Sequence, residues 1–70
     1  MNEFNTDIPS VRQIQNYIKD KQIVEIKLNI GEMIEGNILW QDNHCLCLMT
    51  QKQQKLLLWK QSFVYIKAKG

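Results

Sequence analysis

Asp42, His44, Cys45 and Cys47 crowd the most reactive side chains of this chain into one short stretch. Three chemistries are open to such a set. The first is metal ligation by His44 with the two thiols. The run from 44 to 50 (His-Cys-Leu-Cys-Leu-Met-Thr) is strand-like, and side chains alternate across a strand. His44 would then point away from both cysteines, and a closed zinc site takes four ligands. The second is acid–base work by Asp42 and His44, but the sequence positions no nucleophile or second carboxylate beside them. The third is a disulfide. Cys45 and Cys47 would lie about 6.5 Å apart along an extended strand, with parallel side chains that oppose a bridge. Both cysteines therefore read as core hydrophobes in a reduced, intracellular setting. The expectation is a chain with no metal, no cofactor and no enzymatic reaction. On the residues alone, His44 is a strand-end histidine with a satisfied ring, and Lys60-Gln61 is a pair of turn residues.

The element that must position His44 is the stretch from Asn29 to His44. Ile34, Gly36, Ile38 and Trp40 alternate with Met33, Glu35, Asn37 and Gln41 around Leu39, the signature of a strand with one buried side. Gly36 falls mid-strand on the inward face, where a glycine marks a sharp bend or a close backbone approach. A long bent strand in a chain of 70 residues predicts a small, highly curved barrel.

Seventy residues allow one domain, of a size that often needs disulfides, a metal or partners. Hydrophobic content is 44% and net charge +2, so a lone subunit would be a poor polyanion binder. No apolar run approaches the ~20 residues that cross a bilayer. The polar, acidic start of the chain is not a secretory signal, and the expected location is the cytoplasm.

Residues 1–7 read as a flexible arm and 8–70 as the domain. Pro9 and Ser10 are placed for a helix start, with Ser10 the candidate cap and Gln13 three residues on. Val11, Ile14, Tyr17 and Ile18 form one apolar stripe, and the helix should stop near Asp20 or Lys21. Five strands should follow: Ile23–Asn29, Glu32–Asp42, His44–Thr50, Lys55–Trp59 and Phe63–Lys67. Ile30-Gly31 is a turn that uses the positive φ open to glycine. The third strand is apolar on both faces and should be internal. The fourth has more apolar side chains than one small barrel interior can use. The last is short and apolar, an edge that invites pairing with another copy; unlike edges joined head to tail close into a ring if the rotation allows.

A helix followed by a strongly bent five-stranded antiparallel barrel resembles the Sm-like (SH3-like) fold. The Gly31 turn, mid-strand Gly36, the Asp42 turn and Trp59-Lys60-Gln61 make it more similar to the bacterial Sm-like RNA chaperone family, Hfq, in its divergent cyanobacterial branch. The resemblance implies a hexameric ring in which the fourth strand pairs with a neighbour's fifth. Six copies at +2 would carry about +12, enough to attract a polyanion. It also implies uridine-rich RNA on the helix-bearing, proximal face and adenine-rich RNA on the opposite, distal face.

Carried over residue by residue, the resemblance makes His44 the base-stacking residue, since histidine can stack on unpaired bases. Asn43 lies beside it, and Lys60 matches the family lysine that meets the uracil edge or a phosphate. Gln61 stands where the family has histidine, a departure that still leaves an amide donor. Gln13 or Ser10 would complete the pocket from the helix, and Asp42 would order its turn. On the distal face the aromatic platform falls at Lys27 and the base-reading glutamine at Glu35, with Ile30, Gly31 and Glu32 between. Losing an aromatic removes about 1–3 kcal/mol of stacking per base, and carboxylates repel phosphate. That face is expected to bind adenine-rich RNA weakly. The rim arginine cluster is missing, with Arg12 and Lys19 the nearest helix cations.

Three readings follow. The first is a cytoplasmic ring that grips short uridine-rich single-stranded RNA at its proximal pore and acts in post-transcriptional regulation. The second keeps the ring but uses it to dock a protein partner, with RNA binding weakened. The third is a monomeric barrel within a larger complex.

Overall fold

The computed structural model describes residues 8–69, so the expected arm at 1–7 lies outside the described residues. The element order is α1 (Pro9–Lys19), β1 (Ile23–Leu28), β2 (Met33–Gln41), β3 (Cys45–Thr50), β4 (Lys55–Trp59), one 3-10 turn (Lys60–Ser62) and β5 (Phe63–Ala68). Among the described residues no helix is long and apolar enough to cross a membrane.

The helix starts two residues earlier than a cap at Ser10 would set it. Ile8 is the capping position, extended and without a side-chain cap, and Pro9 opens the helix. Proline supplies the helical φ and lacks an N–H that the first turn could not have used, so Ser10 falls inside the first turn and its capping role is lost. The other end closes by a reciprocal pair of bonds: Gln22 N–H donates to the Tyr17 carbonyl (3.0 Å) and Lys21 N–H to the Ile18 carbonyl (3.1 Å). Lys21 takes the left-handed φ of 52° that this ending demands. Ile14, Tyr17 and Ile18 pack on the sheet core.

The strands form one antiparallel sheet in the order β4-β3-β2-β1-β5. Gly31 makes the β1–β2 turn at φ 92°. The first half of β2 pairs with β1 (Ile34↔Ile26), and the second half pairs with β3 (Ile38↔Leu48). The two pairings overlap only at Gly36 and Asn37. This lets the sheet fold over on itself at Gly36, where an added Cβ would run into the Met49 carbonyl. Val24, Ile26, Leu28, Ile38, Leu46 and Leu48 form the core. Cys45 and Cys47 are buried and unbridged, so β3 is covered on both faces.

Trp40 departs from the expected inward face and is 47% exposed. The ladder between β2 and β3 shifts between Ile38 and Trp40. One extra residue on β2 reverses the alternation beyond it, the effect of a β-bulge.

The β4 and β5 strands are the two margins of the sheet and do not pair with each other. Leu57 and Trp59 on β4 are 56% and 55% exposed, the surplus apolar surface expected of that strand.

Candidate nucleic-acid interface

The site begins with a turn ordered by Asp42. Its Oδ1 accepts the backbone N–H of His44 (3.0 Å) and of Cys45 (2.8 Å). These two bonds favour the carboxylate and hold Asp42 below the usual carboxylate range. Asp42 is thereby committed to the backbone, and Asn43 and His44 are presented, exposed, at the tip. Burial with the Asp42 charge nearby pushes the Cys45 thiol up, which keeps it protonated and inert.

Lys60 joins this tip from the other side. Its backbone N–H donates to the His44 carbonyl at 2.8 Å, which docks the 3-10 turn against the β2–β3 turn. Its Nζ donates to Gln41 Oε1 at 2.9 Å. Burial lowers the Lys60 amine, and the Asp42 carboxylate opposes that shift. Gln41 Nε2 in turn donates to the Val11 carbonyl (3.0 Å) and to Gln15 Oε1 (2.9 Å) on α1.

Asn43, His44 and Lys60 are therefore neighbours, and Gln61 is exposed beside Lys60. Gln13 and Ser10 line an open groove of about 340 Å3 between α1 and β5, with Ile14, Tyr17, Phe63 and Lys60 among its walls. Gln13 thus shares this groove with Lys60. Gln41 was not among the residues the sequence singled out: alternation assigns it to a polar face and says nothing of its reach to positions 11, 15 and 60. Among the described residues no group of His, Cys, Asp and Glu side chains could hold a metal ion.

The opposite face is organised by ion pairs. Lys27 sits across from Met33 and Tyr65, and Glu25 across from Glu35 and Lys67. Lys69 Nζ lies 2.8 Å from Glu35 Oε2, a contact that raises the Lys69 amine. Lys67 lies 3.9 Å from Glu25. Tyr65 hydroxyl donates weakly to the same Glu25 (3.4 Å). Ile30, Gly31 and Glu32 form the exposed turn at the end of this face. The sequence anticipated carboxylates here but not that the tail would supply a cation to Glu35.

A family model described as Hfq related matches residues 8–68. The solved Hfq protein from Anabaena sp. is 44% identical, with a TM-score of 0.79 over 89% of this chain and 98% of that one. A second solved structure, the pleiotropic translational regulator Hfq, superposes with a TM-score of 0.82 over 86% of this chain and 98% of that one. At 17% identity it speaks for the fold alone. No curated protein sequence matches. An α1 helix, a sheet bent at Gly36 and a family match spanning nearly every described residue agree: this chain belongs to the Hfq-related family of Sm-like proteins.

Proposed function

We propose that this chain is the subunit of a cytoplasmic ring that binds short uridine-rich single-stranded RNA at its helix-bearing face, as a non-enzymatic RNA chaperone in post-transcriptional regulation. The observation that carries the reading is the junction of Lys60 with His44, closed by the 2.8 Å backbone bond between them. It ties the tip that carries the exposed His44 and Asn43 to the turn that carries Lys60. The imidazole offers a stacking surface, the amide reads a base edge, and the ammonium meets a uracil carbonyl or a phosphate. Gln61 and Gln13 extend the same patch with amides. In a ring of six, this junction would recur around the pore.

The test is uridine-oligomer affinity as a function of salt. Wild type should bind with a negative slope of log affinity against log salt. Lys60→Ala should weaken binding and flatten that slope by about 0.7 for each phosphate contact removed. No binding by wild type at low salt would overturn the proposal.

The alternative reading is a ring that acts mainly as a protein-docking scaffold with RNA binding weakened, and the departure from the family residues on the ion-paired opposite face is what motivates it. Glu35 already holds Lys69, and no aromatic stands at Lys27. An adenine oligomer is accordingly expected to bind at least about tenfold more weakly than a uridine oligomer of equal length, given the loss of stacking. Competition binding checks this, and equal affinity would contradict it.

A further inference from the structure

We infer that Gln41 is a positioning residue for RNA binding: its side-chain amide aims the Lys60 ammonium and locks that aim to helix α1. The inference rests on the proposed uridine site and assigns a role within it. The oxygen and the nitrogen of this amide are both engaged. The carbonyl oxygen accepts from Lys60 Nζ at 2.9 Å, and Nε2 donates to the Val11 carbonyl at 3.0 Å and to Gln15 Oε1 at 2.9 Å. A primary amide has two donor hydrogens and one oxygen, so this arrangement leaves one orientation of the group. Turning it over would face Nε2 toward an ammonium and the oxygen toward two acceptors.

The choice of residue matters electrostatically. A carboxylate at this position would set a negative charge against the ammonium and lose the donor that Val11 and Gln15 accept. An amide holds the ammonium without adding a charge of its own. Lysine otherwise loses much rotamer freedom when it meets a ligand, and a side chain aligned beforehand loses less of it on binding. Gln41 also stands immediately before the Asp42 turn, so one short segment orders both the His44 tip and the Lys60 amine. The contacts with Val11 and Gln15 make α1 the fixed reference for the pair.

A double-mutant cycle separates this role from a general structural one. Gln41→Ala should lower uridine-oligomer affinity about tenfold in wild type and less than about twofold in the Lys60→Ala background. Gln41→Glu should flatten the salt slope as far as Lys60→Ala does, because its charge neutralises the ammonium. Equal losses from Gln41→Ala in both backgrounds would overturn the inference. A second measurement needs no RNA: the 15N order parameter of the Lys60 ammonium, with loop residue Lys52 as the mobile reference. Lys60 should be more ordered than Lys52 in wild type and lose part of that order in Gln41→Ala. If Lys60 is as mobile as Lys52 in wild type, Gln41 does not position it. Should wild type bind no uridine oligomer, the function proposal fails, and the ammonium measurement still decides whether Gln41 holds Lys60.

Discussion

Gly36→Ala is expected to lower the melting temperature by about 12–24 °C, and Gly36→Val to prevent folding. The reason is backbone, not side chain. Gly36 is paired on both sides, with Val24 of β1 and Thr50 of β3. An added Cβ would lie 2.9 Å from the Met49 carbonyl carbon and 3.1 Å from the Thr50 Cα. Flexible side chains can yield to an extra methyl for about 1–3 kcal/mol. A paired strand cannot yield without drawing Leu46 and Leu48, both fully buried, out of the core. The cost should therefore reach the top of that range, about 3 kcal/mol, where each kcal/mol moves the midpoint of so small a domain by about 4–8 °C. Gly31→Ala is the informative control. Its added Cβ meets nothing within 4 Å, but φ is 92°, so only backbone strain of about 1–2 kcal/mol is at stake. Melting followed by circular dichroism at one protein concentration checks both. A Gly36→Ala midpoint within about 4 °C of wild type would show that β2 and β3 can part at no cost.

A glycine on the buried side of an alternating strand marks a sharp bend or a backbone passing too close for a side chain, and Gly36 is at a close approach to Met49 and Thr50, so the special role of Gly36 is legible in the sequence. The same is true of the turn at Gly31, the apolar stripe of α1 and the two-sided burial of β3: each is a local pattern with a single governing constraint. Where two local rules compete, the sequence names the contestants but not the winner. Ser10 is a good cap and Pro9 a good first residue, and the proline prevailed because it restricts the backbone itself. Trp40 continues a clean alternation, yet a bulge between Ile38 and Trp40 turned it outward. A bulge adds no residue type that announces it. The site divides in the same way. The Asp42 turn follows from an aspartate two and three residues before the amides it binds. Gln41 to Lys60 and Lys69 to Glu35 span 19 and 34 residues. Such contacts depend on how the sheet folds over, which no spacing along one chain encodes.

Leu57→Pro is expected to convert the proposed ring into single folded subunits and to reduce uridine-oligomer affinity by at least about a hundredfold. The β3–β4 ladder runs without a bulge through Leu57↔Cys47 and Leu58↔Leu46. Lys60 N–H closes its end by donating to the His44 carbonyl. Inward and outward amides alternate along such a ladder, so Leu58 and Leu56 direct their N–H groups toward β3 and Leu57 directs its own toward the open margin. Proline at 57 removes an outward donor and spares the inward ones, the placement an edge strand tolerates. Leu57 is 56% exposed, so its side chain contributes little to the subunit core. Both effects should follow if β4 joins the β5 of a neighbouring copy. The mass falls because the joining ladder is broken. Affinity falls because one subunit offers a single Lys60–His44 junction where a ring offers several to the same strand of RNA. Val64→Lys tests the other margin independently, since Val64 is 59% exposed on β5 and an added charge opposes edge pairing. Light scattering reads the mass, and circular dichroism verifies that the subunit remains folded. A folded Leu57→Pro variant that keeps the wild-type mass would remove β4 as the joining edge, and with it the reason to place several RNA pockets around one opening.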